Sequence, residues 1–383
     1  MQSKEFKDYI CITVSTLNQM VNYIPLKHFE FKEVYNLTID DSEYADNSKW
    51  DKNLKEFFPN IQDISFKQSQ MGNIKAINRK LRQFNGKRVF WNITGGQRSF
   101  ILAINQLIEK DDVICYLEGN KNRLILLKDN QEKKNIIKDY SLDKFEDLNI
   151  EIALKLMGFD IKITKTSERN FVTKHDPTEK TLYLDFWDKY IADKKLRENL
   201  ILLNRDSEKD RAKKEIKKII NLSDKELDRN KAFGFILEKL AGYKILDLAG
   251  SKIADMTLGE KINFLDKKSQ VNKSHIDEFD IALLTKNGKF MIFECKSGGM
   301  EGDIAKSTKY SIYAVSGAYG LPILITPLLK DEIENIDDLD SKIYGYIQSA
   351  IKSAKRASLD VWGLDEICEK LAKYIDIEKT KCK

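Results

Sequence analysis

Residues Phe279–Ser297 read FDIALLTKNGKFMIFECKS, and the C-terminal half of the chain is best understood from them. Two apolar arms, Phe279–Leu284 and Phe290–Phe293, flank Lys286-Asn287-Gly288-Lys289. Asn-Gly between apolar runs predicts a β-hairpin with a type I′ turn, because both residues tolerate positive φ. Strand side chains alternate between faces, so Glu294 and Lys296 share a face and Cys295 takes the other. Asp280, near the start of the first arm, then stands opposite the end of the second. Two carboxylates and an ammonium at the ends of buried strands are costly unless they pair or hold a metal. Hard oxygen donors of this kind suit Mg²⁺ or Mn²⁺ better than zinc. The plainer alternative is a surface ion-pair cluster at a hairpin end.

Acidic-x-Lys alone means little here, since 60 acids and abundant lysines produce about eight such triplets by chance. Glu132/Lys134, Asp193/Lys195 and Asp266/Lys268 are examples in polar, lysine-rich settings. Only Glu294/Lys296 closes an apolar strand after a turn, with an acid paired to it. In that context Asp280-x13-Glu294-x-Lys296 resembles the PD-(D/E)xK nuclease superfamily. The resemblance implies a restriction-endonuclease-like α/β domain over 229–383, with Asp280 and Glu294 as metal ligands and Lys296 as a catalytic residue. Glu238, on the helix predicted over Ala232–Leu240, matches an extra metal-facing acid of that superfamily. Gly242 is expected to end the helix and Tyr243–Leu248 to form a strand. Lys306 and Lys309, on a helix after the motif, are candidates to face the phosphodiester.

The N-terminal part alternates strand and helix signals. Tyr9–Val14, Phe31–Ile39, Arg88–Ile93, Asp112–Leu117 and Arg123–Lys128 read as strands, separated by helical stretches such as Met71–Phe84 and Ser99–Glu109. This pattern argues for a mostly parallel, Rossmann-like sheet. Thr94-Gly95-Gly96-Gln97-Arg98 lies where a strand hands over to a helix N-terminus. At the carboxyl end of such a strand, glycines let backbone N–H groups approach an anion. A tight turn that simply requires glycine would leave the same signature. Asn92–Arg98 resembles the Thr-Gly-Gly signature of CARF domains, the cyclic-oligoadenylate sensors of type III CRISPR systems, with Gln97 in place of the commoner Thr or Ser. The resemblance implies a CARF domain over 1–147 that pairs as a homodimer around a cyclic oligoadenylate, with the tetra-adenylate favoured. Ser15, Thr16, Leu17 and Asn18 of the first-strand loop, with Thr94, Gly95, Gly96, Gln97 and Arg98, would bind the ring.

Between these parts, 148–228 reads as a helical connector, with one long helix over Trp187–Leu203. It contains Arg169-x5-His175, which fits the loose Arg-x4–6-His pattern of HEPN ribonucleases. The following Asp176-Pro177 argues for strand or turn there rather than the helix such a site needs.

At 383 residues the chain is long enough for two cores, and 42% hydrophobic with 10% aromatic content is that of a globular protein. The best apolar run, Leu321–Leu329, is broken by Pro322 and Pro327, so no membrane span is expected. The five cysteines lack zinc spacing, and a cytoplasmic location with reduced thiols is expected. A net charge of +5 falls short of a nucleic-acid coat. Taken together, the sequence reads as a homodimeric, cyclic-oligoadenylate-activated, metal-dependent nuclease acting on single-stranded DNA or RNA, or nicking duplex DNA. A non-catalytic CARF-type regulator that binds DNA and a HEPN-type, metal-independent ribonuclease are the alternatives.

Overall fold

The computed structural model describes the chain apart from residues 1, 41–46, 119–122, 130–133, 143–144, 163–170, 265–276, 317–319, 376 and 378–383. The chain divides into two compact units. The first is built on Met1–Asp160 and includes Lys286–Lys289; the second is built on Ile161–Asn263, Asn272–Thr285 and Phe290–Lys383.

In the first unit the elements run β1 (Ile10–Val14), α1 (Met20–His28), β2 (Glu33–Ile39), α2 (Asn47–Phe57), β3 (Gln62–Phe66), α3 (Ile74–Leu81), β4 (Val89–Asn92), α4 (Arg98–Asn105), β5 (Val113–Leu117), β6 (Arg123–Asp129), β7 (Lys134–Ser141) and α5 (Ile150–Leu156). They form a seven-stranded sheet in the order β3-β2-β1-β4-β5-β6-β7. The first five of these are mutually parallel, and β5-β6-β7 closes the sheet as an antiparallel meander. β1 and β4 are fully buried, as their continuous apolar runs require of strands covered on both faces. The strand order reverses direction between β1 and β4. In an open α/β sheet this switch point leaves a crevice at the carboxyl ends of the two strands. The loops after β1 and after β4, Ser15–Gln19 and Ile93–Gln97, border it.

The second unit follows as β8 (Phe159–Lys162), α6 (Phe171–Lys174), α7 (Pro177–Ala192), α8 (Lys194–Leu202), α9 (Lys209–Ile219), α10 (Asp224–Leu227), α11 (Ala232–Ala249), β9 (Ile253–Phe264), β10 (Asp277–Thr285), β11 (Phe290–Cys295), α12 (Gly302–Ser316), β12 (Leu321–Ile325), α13 (Lys330–Glu334), α14 (Ser341–Arg356), β13 (Asp360–Trp362) and α15 (Ile367–Leu371). Its sheet runs β13-β12-β11-β10-β9-β8, with β9-β10-β11 antiparallel and β11-β12-β13 parallel. Two α/β units, each with its own sheet, are thus the architecture.

Several expected elements differ. The residues from Phe171 to Leu227 do not stand apart as a connector: Phe186, Leu200 and Ile216 are buried in one core with Phe233, Phe293 and Trp362. The helix expected over Trp187–Leu203 is two helices, because Asp193 ends α7 and its side chain accepts from Leu196 N–H to cap α8. Tyr243–Leu248 is not a strand. α11 continues to Ala249, and Gly242 is a place of close packing: a Cβ there would lie 2.9 Å from Leu258 Cδ2. Phe171–Lys174 is a helical turn, and Arg169 lies outside the described residues. The hairpin connection is longer than a two-residue turn, since Leu284 pairs with Phe290. Gly288 has φ +80°, but Asn287 is not left-handed, and its Nδ2 donates to Glu118 O at 2.9 Å. Cys11, Cys115 and Cys295 are free and buried, but Cys368 is disulfide-bonded, against the expectation that all five thiols are reduced. Among the described residues no helix is long and apolar enough to cross a membrane.

Candidate functional site

In the second unit, the hairpin ladder pairs Ile281 with Phe293, so Asp280 and Glu294 face each other one step further on. Asp280 Oδ2 accepts from the Cys295 backbone N–H at 2.7 Å, which fixes its carboxylate across the hairpin. Lys296 Nζ is ion-paired with Glu294 Oε1. α11 packs on β10 and β11 and brings Glu238 to the same place. A cavity of about 730 Å³ opens there, lined by Glu238, Glu278, Asp280 and Lys296 and by the Ser297–Gly299 exit of the hairpin. Glu294 sits behind the wall, only 8% exposed.

The electrostatics bind these groups into one set. Burial, then the charges of Glu294 and Glu238, pushes Asp280 well above the usual carboxylate range; Lys296 and the Cys295 N–H pull the other way. Burial, then Glu294 and Glu278, pushes Glu238 up to about 7. Burial works against the Lys296 ammonium, yet Glu294 and Asp280 prevail and push it up to about 12. Asp280 and Glu238, buried beside the charge of Glu294, therefore favour their protonated forms while no cation is bound. Among the described residues no three acid, histidine or cysteine side chains are already drawn into a finished metal cage; Glu294 is turned to Lys296 instead.

The hairpin reading thus brings Asp280, Glu294 and Lys296 together, with Glu238 arriving from the helix. Lys306 and Lys309 do not join them. Lys306 pairs with Asp303 at 3.6 Å, Lys309 lies 5.8 Å from the Tyr313 ring centre, and neither lines the cavity. Glu278 was missed, although it stands two residues before Asp280, the spacing that shares a strand face. Arg229, Lys231 and Phe235 also line the cavity and carried no motif. His175 Nδ1 sits 3.0 Å from Phe171 O, a local contact within its own turn.

In the first unit a cavity of about 220 Å³ lies at the switch point, lined by Ser15, Thr16, Leu17, Ile39, Gly96, Gln97 and Phe100. The glycines are demanded by space. A Cβ on Gly96, which has φ +92°, would fall 2.1 Å from Val14 Cγ1, and one on Gly95 would fall 2.9 Å from Thr16 Cγ2. Thr94 faces inward: its hydroxyl donates to Asn92 Oδ1 at 2.8 Å and accepts from Leu117 N–H at 2.9 Å. Asn18 Oδ1 accepts from Met20 N–H at 3.2 Å. Arg98 is exposed at the start of α4, and Thr94, Asn18 and Arg98 do not line the cavity. Beneath the loop lies a polar network that local sequence did not announce. Asp51, 4% exposed, accepts from Gln19 Nε2 at 2.9 Å and from Thr38 Oγ1 at 2.6 Å. Asn22 links Gln19 Oε1 (3.0 Å) to the Asn92 amide (3.0 Å) beside Thr94. The two loops therefore share one buried scaffold.

No protein-family model matches the chain, and no curated protein matches it. Solved structures do. The Vibrio cholerae protein VC1899 superposes with a TM-score of 0.63 at 16% identity, over 96% of this chain and 98% of its own. Can2 from Sulfobacillus thermosulfidooxidans, in complex with cyclic tetra-adenylate, gives 0.59 at 14% identity over 96% and 97%. A type III CRISPR defence DNA nuclease activated by cyclic oligoadenylate gives 0.50 at 14% identity, over 85% of this chain and 46% of its own. At these identities the likeness is one of fold.

Proposed function

We propose that this protein is a metal-dependent nuclease switched on by a cyclic oligoadenylate, an ancillary enzyme of type III CRISPR antiviral defence. The observation that carries this reading is the convergence of Asp280, Glu238 and Lys296 at one cavity, from a hairpin and a helix, with Glu294 just behind its wall and paired to Lys296. The fold shared with Can2, whose structure holds cyclic tetra-adenylate, supports the sensor half. In this reading 1–147 senses the ring and 229–383 cuts single-stranded DNA or RNA. A homodimer would hold the ring across its two-fold axis, and the exposed Leu17 and Leu102 offer apolar area for such a face.

Asp280, Glu294 and Glu238 would hold Mn²⁺ or Mg²⁺, for which an all-oxygen, mutually repelling donor set is suited. When bound, such an ion supplies a water of lowered pKa and neutralises charge at the phosphate. The remaining work belongs to the chain. Asp280 is pre-set by the Cys295 N–H. Lys296, charged throughout the neutral range, orients the nucleophilic water and faces the negative charge that grows on the phosphate. Ser297-Gly298-Gly299 keeps bulk away from the cavity mouth, leaving room for a phosphodiester. At the first site, Ser15, Thr16, Leu17 and Gln97 would line the ring's bed, with the Gly95–Gly96 backbone free of Cβ atoms that would block it.

The test is cleavage of labelled single-stranded DNA, single-stranded RNA and supercoiled plasmid with Mn²⁺, with and without cyclic tetra- or hexa-adenylate, beside Glu294→Ala. Cutting is expected to need ring and metal together and to be lost in the variant. Cutting that ignores the ring would remove the sensor. Cutting that persists in EDTA would favour the HEPN-type ribonuclease, and ring binding with no cutting would make the protein a regulator.

A further inference from the structure

The carboxylate cavity does not end at the carboxylates. Arg229, Phe235 and Lys239 line it and also line a neighbouring cavity of about 610 Å³ that reaches Thr178 and Asn221. At this junction Arg229 Cζ lies 3.7 Å from the centre of the Phe235 ring, and both side chains are half-buried. Among the described residues the Arg229 guanidinium makes no ion pair and no hydrogen bond. Glu238 feels the Arg229 charge from across the cavity, and the other nearby acids are committed elsewhere. Glu179 pairs with Lys239 at 3.1 Å, Asp176 accepts from Thr178 N–H at 2.8 Å, and Glu226 accepts from Ser223 N–H at 2.9 Å. The turn that returns Arg229 over α11 uses Lys231 in the left-handed region (φ 54°, ψ 45°).

The geometry points to the Arg229–Phe235 stack as a platform for an unpaired nucleobase beside the scissile phosphodiester, which makes a single strand the substrate of the carboxylate cavity. A guanidinium laid flat on a ring keeps its other face for a base, and its edge N–H groups for phosphate. In a duplex the base faces are stacked inside and cannot reach such a platform. The strand runs from the carboxylates past Arg229 into the second cavity. This rests on the nuclease reading.

The test uses full-length protein with Mn²⁺ and the activating ring, cutting single strands in which one abasic site is stepped along the sequence. For the wild type, an abasic site at one fixed offset from the cut should raise KM roughly ten- to hundredfold, the size of one lost stack. Arg229→Ala and Phe235→Ala should show that KM on intact strands and lose the offset signature, with a smaller loss on plasmid nicking than on single strands. Arg229 lies on a surface turn, so its variant carries the test if Phe235→Ala folds poorly. A flat abasic scan in an active wild type overturns the platform alone, as does equal loss on strand and plasmid. No cutting by the wild type, matching Glu294→Ala, overturns the nuclease reading with it.

Discussion

A methyl group added at Gly96 would fall 2.1 Å from Val14 Cγ1, on a backbone at φ +92° that a side chain resists. Gly96→Ala is therefore expected to cost roughly 2–4 kcal/mol, combining left-handed strain with overpacking. Urea unfolding would measure it, and calorimetry would show loss of ring binding. Glu238 makes a different kind of statement. Its pKa in the folded chain, about 7, lies above its ordinary 4.5, so the folded state holds the extra proton. Its contribution is unpenalised below about pH 4.5 and is lost as pH rises through 7, by an amount of order 3 kcal/mol. In EDTA, the melting temperature of Glu238→Gln should gain on that of the wild type between pH 5 and 7.5. Parallel curves would mean that Glu238 feels no such field. Asp280, Glu294 and Lys296 could be brought together from sequence because a strand has period two and the chain supplies Asn-Gly. Arg229 and Phe235 could not, because no local pattern signals a turn that folds back over the next helix.

At the scale of elements, what misled was hydrophobic uniformity. α11 is buried over 13 of its 18 residues, so its apolar residues recur at strand and helix periods alike, and Gly242 looked like a stop. The glycine is there because Leu258 presses against it. Gly242→Ala should destabilise the wild type, yet in a Leu258→Ala background, where the clash is gone, it should stabilise by about 1 kcal/mol through helix propensity. A double-mutant cycle on denaturant midpoints reads the change of sign. The hairpin's strands were legible for the opposite reason: short apolar arms with one glycine turn leave little choice. Its turn type was not, since Asn287 is fixed by its bond to Glu118 O, a residue far away in sequence.

For the whole molecule, the alternation of strands and helices was enough to read the parallel sheet of the first unit, while the β5-β6-β7 meander and the β9 strand were missed or incomplete. Long-range pairings of this kind leave little local imprint. On the proposed reading, a nuclease held off until its ring arrives needs the ring to favour the active form strongly; turning 1:99 into 99:1 takes about 5.5 kcal/mol of differential affinity. Such coupling is reciprocal. A non-cleavable single strand should therefore tighten ring binding by the same factor by which the ring tightens strand binding, both read by calorimetry with Ca²⁺ in place of Mn²⁺. Unequal factors would show that ring and strand act on separate equilibria.

The burial of α11 also sets a clock. Its central amides are closed to solvent on nearly every side, so their deuterium uptake should wait on rare, cooperative opening of the second unit. The Arg229–Lys231 turn, with exposed Asn230 and Lys231, should exchange early. Glu238 therefore rides on some of the most slowly breathing backbone in the chain, next to a rim that breathes quickly. On the proposed reading, the carboxylate cluster should outlast loosening of the rim beside it.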